Sequence, residues 1–184
     1  MRINQDTVRA AIPLARADQA LDADLHDWWR HQGTLPTALR GKPFGVWLID
    51  LLNELSTTID GVFHGEQTAA NIVDVLRIHA IGDPLALRLA AEAEPEGFIT
   101  DTNSYVEDGR VDANVYLHHA DPKKAKARAE QVCAAFTAAG YSAEVWVDEV
   151  DANDVTVNAQ IDFKSFLAQR QNMVKYETNG RERN

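Results

Sequence analysis

The chain has 184 residues, 45% of them apolar and 25% charged, a balance ordinary for a globular protein and unlike collagen-like, mucin-like or wholly disordered chains. Its net charge is −10, with −5 on residues 1–95, −8 on residues 96–163 and +3 on residues 164–184. Phosphate binding needs clustered Lys and Arg, so no nucleic-acid or anionic-membrane partner is expected for this acidic body.

The most apolar stretch, residues 44–55, already holds Asp50, Asn53 and Glu54, too polar for a bilayer span. The start, Met1 to Asp6, lacks the apolar run of a secretory signal. A single cysteine, Cys133, permits no internal disulfide. A reducing, cytoplasmic setting is the expectation.

The first half reads as helical. A short turn is expected over residues 4–11. Pro13 suits the first position of a longer helix, with Leu14, Ala17, Leu21, Leu25 and Trp28 forming one stripe and Gly33 ending it. Pro36, Gly41 and Pro43 mark a connector. Phe44, Trp47, Leu48, Leu51, Leu52, Leu55 and Ile59 then line one helical face, which Val46 and Ile49 widen. Glycines 61 and 65 break the chain before a third helix carrying Ala69, Ile72, Val73, Leu76 and Ala80. Asp83-Pro84 starts a fourth helix, running to about Glu94.

Beyond Glu94-Pro95-Glu96-Gly97 the apolar period falls from helical to two. A strand is plausible over residues 98–105, joined through Glu107-Asp108-Gly109-Arg110 to a second with Val111, Ala113, Val115 and Leu117 on one face. Asp121-Pro122 opens a helix with Ala125, Ala129, Val132 and Phe136 inward, and Gly140 closes it. Val145 and Val147, then Val155, Val157, Ala159, Ile161 and Phe163, alternate with polar residues in two more strands. A last helix is expected over residues 164–176, followed by a polar tail. The class is therefore α+β: an N-terminal helical region (1–95), then an antiparallel-rich β-sheet with two helices (96–176), then residues 177–184. The element order of residues 98–176 resembles a ferredoxin-like or ACT-like half. Residues 111–147 are also faintly similar to the acidic proteins that inhibit ribonuclease E, without a diagnostic residue, so no family is assigned.

Catalytic motifs are scarce. The phosphate loop, dinucleotide fingerprint, nucleophile elbow and helical zinc-protease motif are absent. Cys133, beside the inward face of its helix, reads as core packing. His118-His119-x-Asp121 lies where a strand meets a helix; the two imidazoles should diverge, and Asp121 is already a cap. Asp148-Glu149-x-Asp151-x-x-Asp154 lacks the glycine of a calcium loop and reads as a charged hairpin turn. No metal and no cofactor are expected. His64 and Glu66, with Asp60 nearby, are the one acid–base candidate, in an interhelical loop; they carry the alternative reading of a small hydrolase-like enzyme.

The leading candidate is the polar face of the sheet. Alternation places Tyr116, His118, Glu144, Trp146, Asp148, Asn158 and Gln160 there, with Asp112, Asn114, Thr156 and Asp162. Sheets that bind nucleic acid surround such aromatics with basic groups; here the surround is acidic. That face either docks on the chain's own helical half or meets protein. The expected function is non-catalytic protein–protein binding by a regulator, inhibitor, immunity-type partner or assembly component. The expected partner is another protein, for which the acidic surround permits a basic one, or a second copy of the chain.

Overall fold

The computed structural model describes residues 5–31, 41–60 and 68–169, with side chains of residues 56–60 left aside. His64 and Glu66 lie outside the described residues, and Asp60 belongs to them by its backbone alone. The described chain is α+β, with helices first and a four-stranded sheet after. Where the sequence divides near residue 95, compactness groups residues 1–84 with 103–109, and residues 85–102 with 110 onward.

The first unit contains α1 (Gln5–Ala17), α2 (Gln19–Arg30), α3 (Phe44–Asp60) and α4 (Ala69–Ala80). The first helical break falls at Asp18, not before Pro13. Pro13 sits inside α1, and the buried positions of that helix are Val8, Ala11 and Ala15. Leu14, expected in the stripe, is exposed. Asp18 has extended backbone, and its carboxylate accepts the Leu21 N–H at 3.1 Å, capping α2. A capping oxygen satisfies a backbone donor that the helix itself cannot. The other Asp18 oxygen receives Arg77 Nη2 from α4 at 3.0 Å, while Arg77 Nη1 reaches Asp74 at 2.6 Å. These donors, led by the Leu21 N–H, hold the Asp18 carboxyl below its ordinary range.

The core of this unit comes from Leu21 and Leu25 of α2, Trp47, Leu48, Leu51, Leu52 and Leu55 of α3, and Ile72, Val73, Val75, Leu76 and Ile78 of α4. Each such side chain contributes about 1.5–3 kcal/mol of burial. Val46 and Ile49 do not widen the α3 face; both are exposed. The aromatic rings of His26, Trp29, Phe44 and Trp47 pack in sequence, with His26 stacked on Phe44 at 3.7 Å. Residues 103–109 join this unit by hydrogen bonds. Ser104 Oγ accepts the N–H of the fully buried Asp83, and His79 Nε2 accepts the N–H of Val106.

The second unit holds most of α5 (Pro84–Ala93) and the start of β1 (Ile99–Glu107), then β2 (Arg110–His118), α6 (Pro122–Ala138), β3 (Ser142–Val147) and β4 (Asp154–Asp162). Residues 163–169 are again helical, with the Lys164 and Ser165 N–H groups capped by Asp162. Asp108 and Gly109 both have positive φ, 46° and 78°, the conformation of a two-residue hairpin turn. The sheet order is β1-β2-β4-β3. β4 pairs antiparallel with both β2 and β3, so β2 and β3 run parallel, joined by α6. This is the split β-α-β of ferredoxin-like sheets. The outer strand beside β2 comes first in the chain, where the ferredoxin order places it last.

Alternation sorts the residues of this sheet. Val111, Ala113, Val115 and Leu117 of β2, with Val155, Val157, Ala159 and Ile161 of β4, are buried. α6 packs on β2, β3 and β4, burying Ala125, Ala129, Val132 and Phe136. Cys133 is half-buried beside that stripe, more open than a core thiol.

Candidate functional site

Register turns the opposite face into rows. Tyr116 pairs with Thr156, and Thr156 pairs with Trp146, so the three stand side by side across β2, β4 and β3. The next row is Asn114, Asn158 and Glu144, and the one after it Asp112, Gln160 and Ser142. In the other direction His118 pairs with Asp154. The seven residues singled out from sequence, Tyr116, His118, Glu144, Trp146, Asp148, Asn158 and Gln160, thus belong to neighbouring rows or to the turn that follows β3. Tyr116 is 39% exposed and Trp146 60% exposed. Asp112, placed by alternation on the same face, is buried.

A groove of about 640 Å³ runs over the end of this face. Tyr116, Trp146 and Thr156 line it, with Ile99, Thr100 and Asp101 of β1 on one side and Val147, Asp148 and Glu149 on the other; His118 and Asp154 complete its charged end. Four carboxylates and no Lys or Arg are among the lining residues.

The turn between β3 and β4 is built by its aspartates. Asp148 Oδ1 accepts the N–H groups of Val150 and Asp151 at 2.7 and 3.0 Å, and its own N–H donates to the Asp154 carbonyl. Asp151 carboxylate accepts the Asn153 N–H. Short aspartate side chains fold back on backbone donors in this way and fix tight turns. The Asp151 and Val150 N–H groups hold the Asp148 carboxyl below its ordinary range. It stays anionic at neutral pH.

His118 Nδ1 lies 2.7 Å from Asp154 Oδ1, a cross-strand pair 36 residues apart in sequence. Asp151 lies close enough that His118, Asp151 and Asp154 each offer a ligand atom within 4.8 Å of the others. One imidazole and two carboxylates form a donor set suited to a divalent cation. The same groups equally form an acidic patch that holds one imidazole. Sequence spacing could not show this group, since it depends on the pairing of β2 with β4. His119 takes no part. Its ring packs against Phe98 at 4.7 Å, and its Nδ1 accepts the Asp121 N–H at 2.9 Å, while Asp121 caps α6 through Lys123. The two adjacent imidazoles thus diverge, as alternate strand positions require.

No helix of the described residues is long and apolar enough to cross a membrane. Comparison with protein-family models, curated proteins and solved structures finds no match for this chain.

Proposed function

We propose that this chain is a small acidic cytoplasmic protein that acts by binding another protein, as a regulator, inhibitor, immunity-type partner or assembly component. The observation that carries the reading is the row Tyr116–Thr156–Trp146, with a Trp ring 60% exposed on a regular strand. An exposed Trp in a groove offers a large rigid contact area at low entropic cost, and Trp and Tyr dominate the energetics of protein interfaces. The carboxylates around it speed encounter with a basic surface at low salt and disfavour anionic partners. The +3 charge of residues 164–184 also permits a second copy as partner.

The test is in-cell crosslinking of the tagged chain, followed by affinity recovery and mass spectrometry, with Trp146→Ala in parallel. A protein recovered with the native chain and depleted about tenfold with Trp146→Ala, at similar melting temperature, supports the reading. Identical recoveries from the two remove its surface.

A further inference from the structure

The groove has a chemistry more specific than a generic interface. Neighbouring strands are about 4.8 Å apart, so Tyr116 and Trp146, on either side of β4, have backbones about 9–10 Å apart. Thr156 between them is a short side chain. Two aromatic side chains flanking one short residue thus form a slot within the groove, and backbones about 9–10 Å apart leave room there for one flat group. Asp148 and Asp154 lie at the end of this slot, in the direction of the β3–β4 turn.

We propose that this slot receives an arginine side chain of a protein partner, its guanidinium lying between Trp146 and Tyr116 and donating to the carboxylates of Asp148 and Asp154. The inference rests on the protein-binding reading above and names what the partner brings. Ring faces are electron-rich and attract cations. Carboxylates accept the forked N–H pairs of guanidinium in a plane. Arginine satisfies both demands with one rigid, weakly hydrated group, whereas the compact ammonium of lysine is strongly hydrated and cannot stack. An apolar side chain would cover ring surface but bring no donor to the free oxygens of the carboxylates while drawing them out of water. A phosphate or acidic peptide would be repelled. Asp154 is paired with His118 at 2.7 Å, which holds its carboxylate at the slot. The hydrogen bonds from Val150 and Asp151 hold Asp148 in the same way.

The experiment is a titration of the ¹⁵N-labelled full chain with N-acetyl-arginine amide, observed by two-dimensional NMR. N-acetyl-citrulline amide, its neutral near-isostere, is the control. The Trp146 indole N–H is identified from its loss in Trp146→Phe. The expected result is a saturable shift of that indole signal and of the Thr156 amide, with citrulline about five- to tenfold weaker, the effect of one exposed cation–π contact and its ion pair. Asp148→Asn combined with Asp154→Asn should weaken the arginine response similarly, because Asn keeps the turn's acceptor oxygen while removing the charge. Equal responses to arginine and citrulline, a response unaltered by the paired Asn substitutions, or no response overturn the proposal. Zn²⁺ added alone probes the neighbouring His118, Asp151 and Asp154. Zinc binding there that leaves the chain unresponsive to the arginine probe, before and after chelation, overturns it too.

Failure here is separable from failure of the broader reading. A crosslinked partner that depends on Trp146 but withstands the paired Asn substitutions and excess arginine amide leaves protein binding standing and ends the arginine assignment. Saturable arginine binding with no partner dependent on Trp146 does the reverse.

Discussion

The Val106 N–H donates to Nε2 of His79 at 3.1 Å, joining the end of β1 to helix α4. Burial holds the His79 imidazole below its ordinary range. A protonated ring would also have no lone pair left to accept the Val106 proton. The folded chain therefore resists protonation at His79 more than the unfolded chain does. Stability from this group is complete above the unfolded value of about 6.5 and is lost as pH falls below it, levelling off once the folded form also protonates. Urea midpoints at about pH 7.5 and 5.5 should differ for the native chain and differ less for His79→Gln, whose amide oxygen can accept the same N–H without titrating. Equal pH sensitivity in the two chains would show that the neutral imidazole is not what the fold requires.

Leu51 lies in α3 at 4% exposure, next to the fully buried Leu48 and Leu52. Truncation to alanine removes buried methyl groups and leaves a cavity that neighbouring helices fill only in part. Leu51→Ala should cost about 2–5 kcal/mol, read as a lower urea midpoint with unchanged slope. Val46→Ala, on the exposed flank of the same helix, should stay within about 0.5 kcal/mol. A reversed order would mean that the buried face of α3 is not the one described.

Much of this architecture is legible from period alone. The α3 stripe, the Asp108-Gly109 turn, the Asp121-Pro122 start of α6 and the three strands from Val111 onward follow from spacing and turn chemistry, because each is decided by residues a few positions apart. The break between α1 and α2 is different. Pro13 signals a helix start wherever a first turn is free to form around it, yet Asp18 wins, since its carboxylate caps Leu21 while also holding Arg77, 59 residues away. Val46 and Ile49 mislead for a related reason: an apolar residue marks a buried face only when another element covers it. The polar sheet face was readable as a list, but its order across strands was not. Only the β2–β4 register sets Tyr116 beside Thr156 and His118 beside Asp154, and nothing local in either strand encodes that register.

Gly140 ends α6 with φ of 85°, a left-handed conformation that lets Tyr141 N–H return to the Phe136 carbonyl and Gly140 N–H to that of Thr137. A Cβ at this position would meet Gln169 Nε2 at 3.0 Å, and Gln169 itself donates to the Ala139 carbonyl at the end of the helix. Gly140→Ala should therefore cost about 1–2 kcal/mol from backbone strain, with the Gln169 bond displaced as well. Gly140→Asn should cost less, because asparagine tolerates the left-handed region better. Thermal melts of the three chains give the order, and an alanine variant as stable as the native chain would contradict the strained C-cap.

The two faces of the sheet should respond oppositely to loss of an aromatic ring. Phe136, on α6, is fully buried against the sheet, and its ring packs 5.1 Å from Tyr141. Trp146, on β3, is 60% exposed on the opposite side. Indole has the larger surface, so ring size alone would make Trp146 the costlier residue to remove. Burial decides the matter instead: only surface withdrawn from water on folding stabilises the fold, and only a packed ring leaves a cavity behind. Phe136→Ala should cost about 3–5 kcal/mol, whereas Trp146→Ala should stay near 0.5 kcal/mol and keep the circular dichroism of the native chain. Denaturation of both variants in one buffer compares them directly. Should Trp146→Ala prove as damaging as Phe136→Ala, the indole would be buried in solution, and the row Tyr116–Thr156–Trp146 would be core instead of a surface open to a partner.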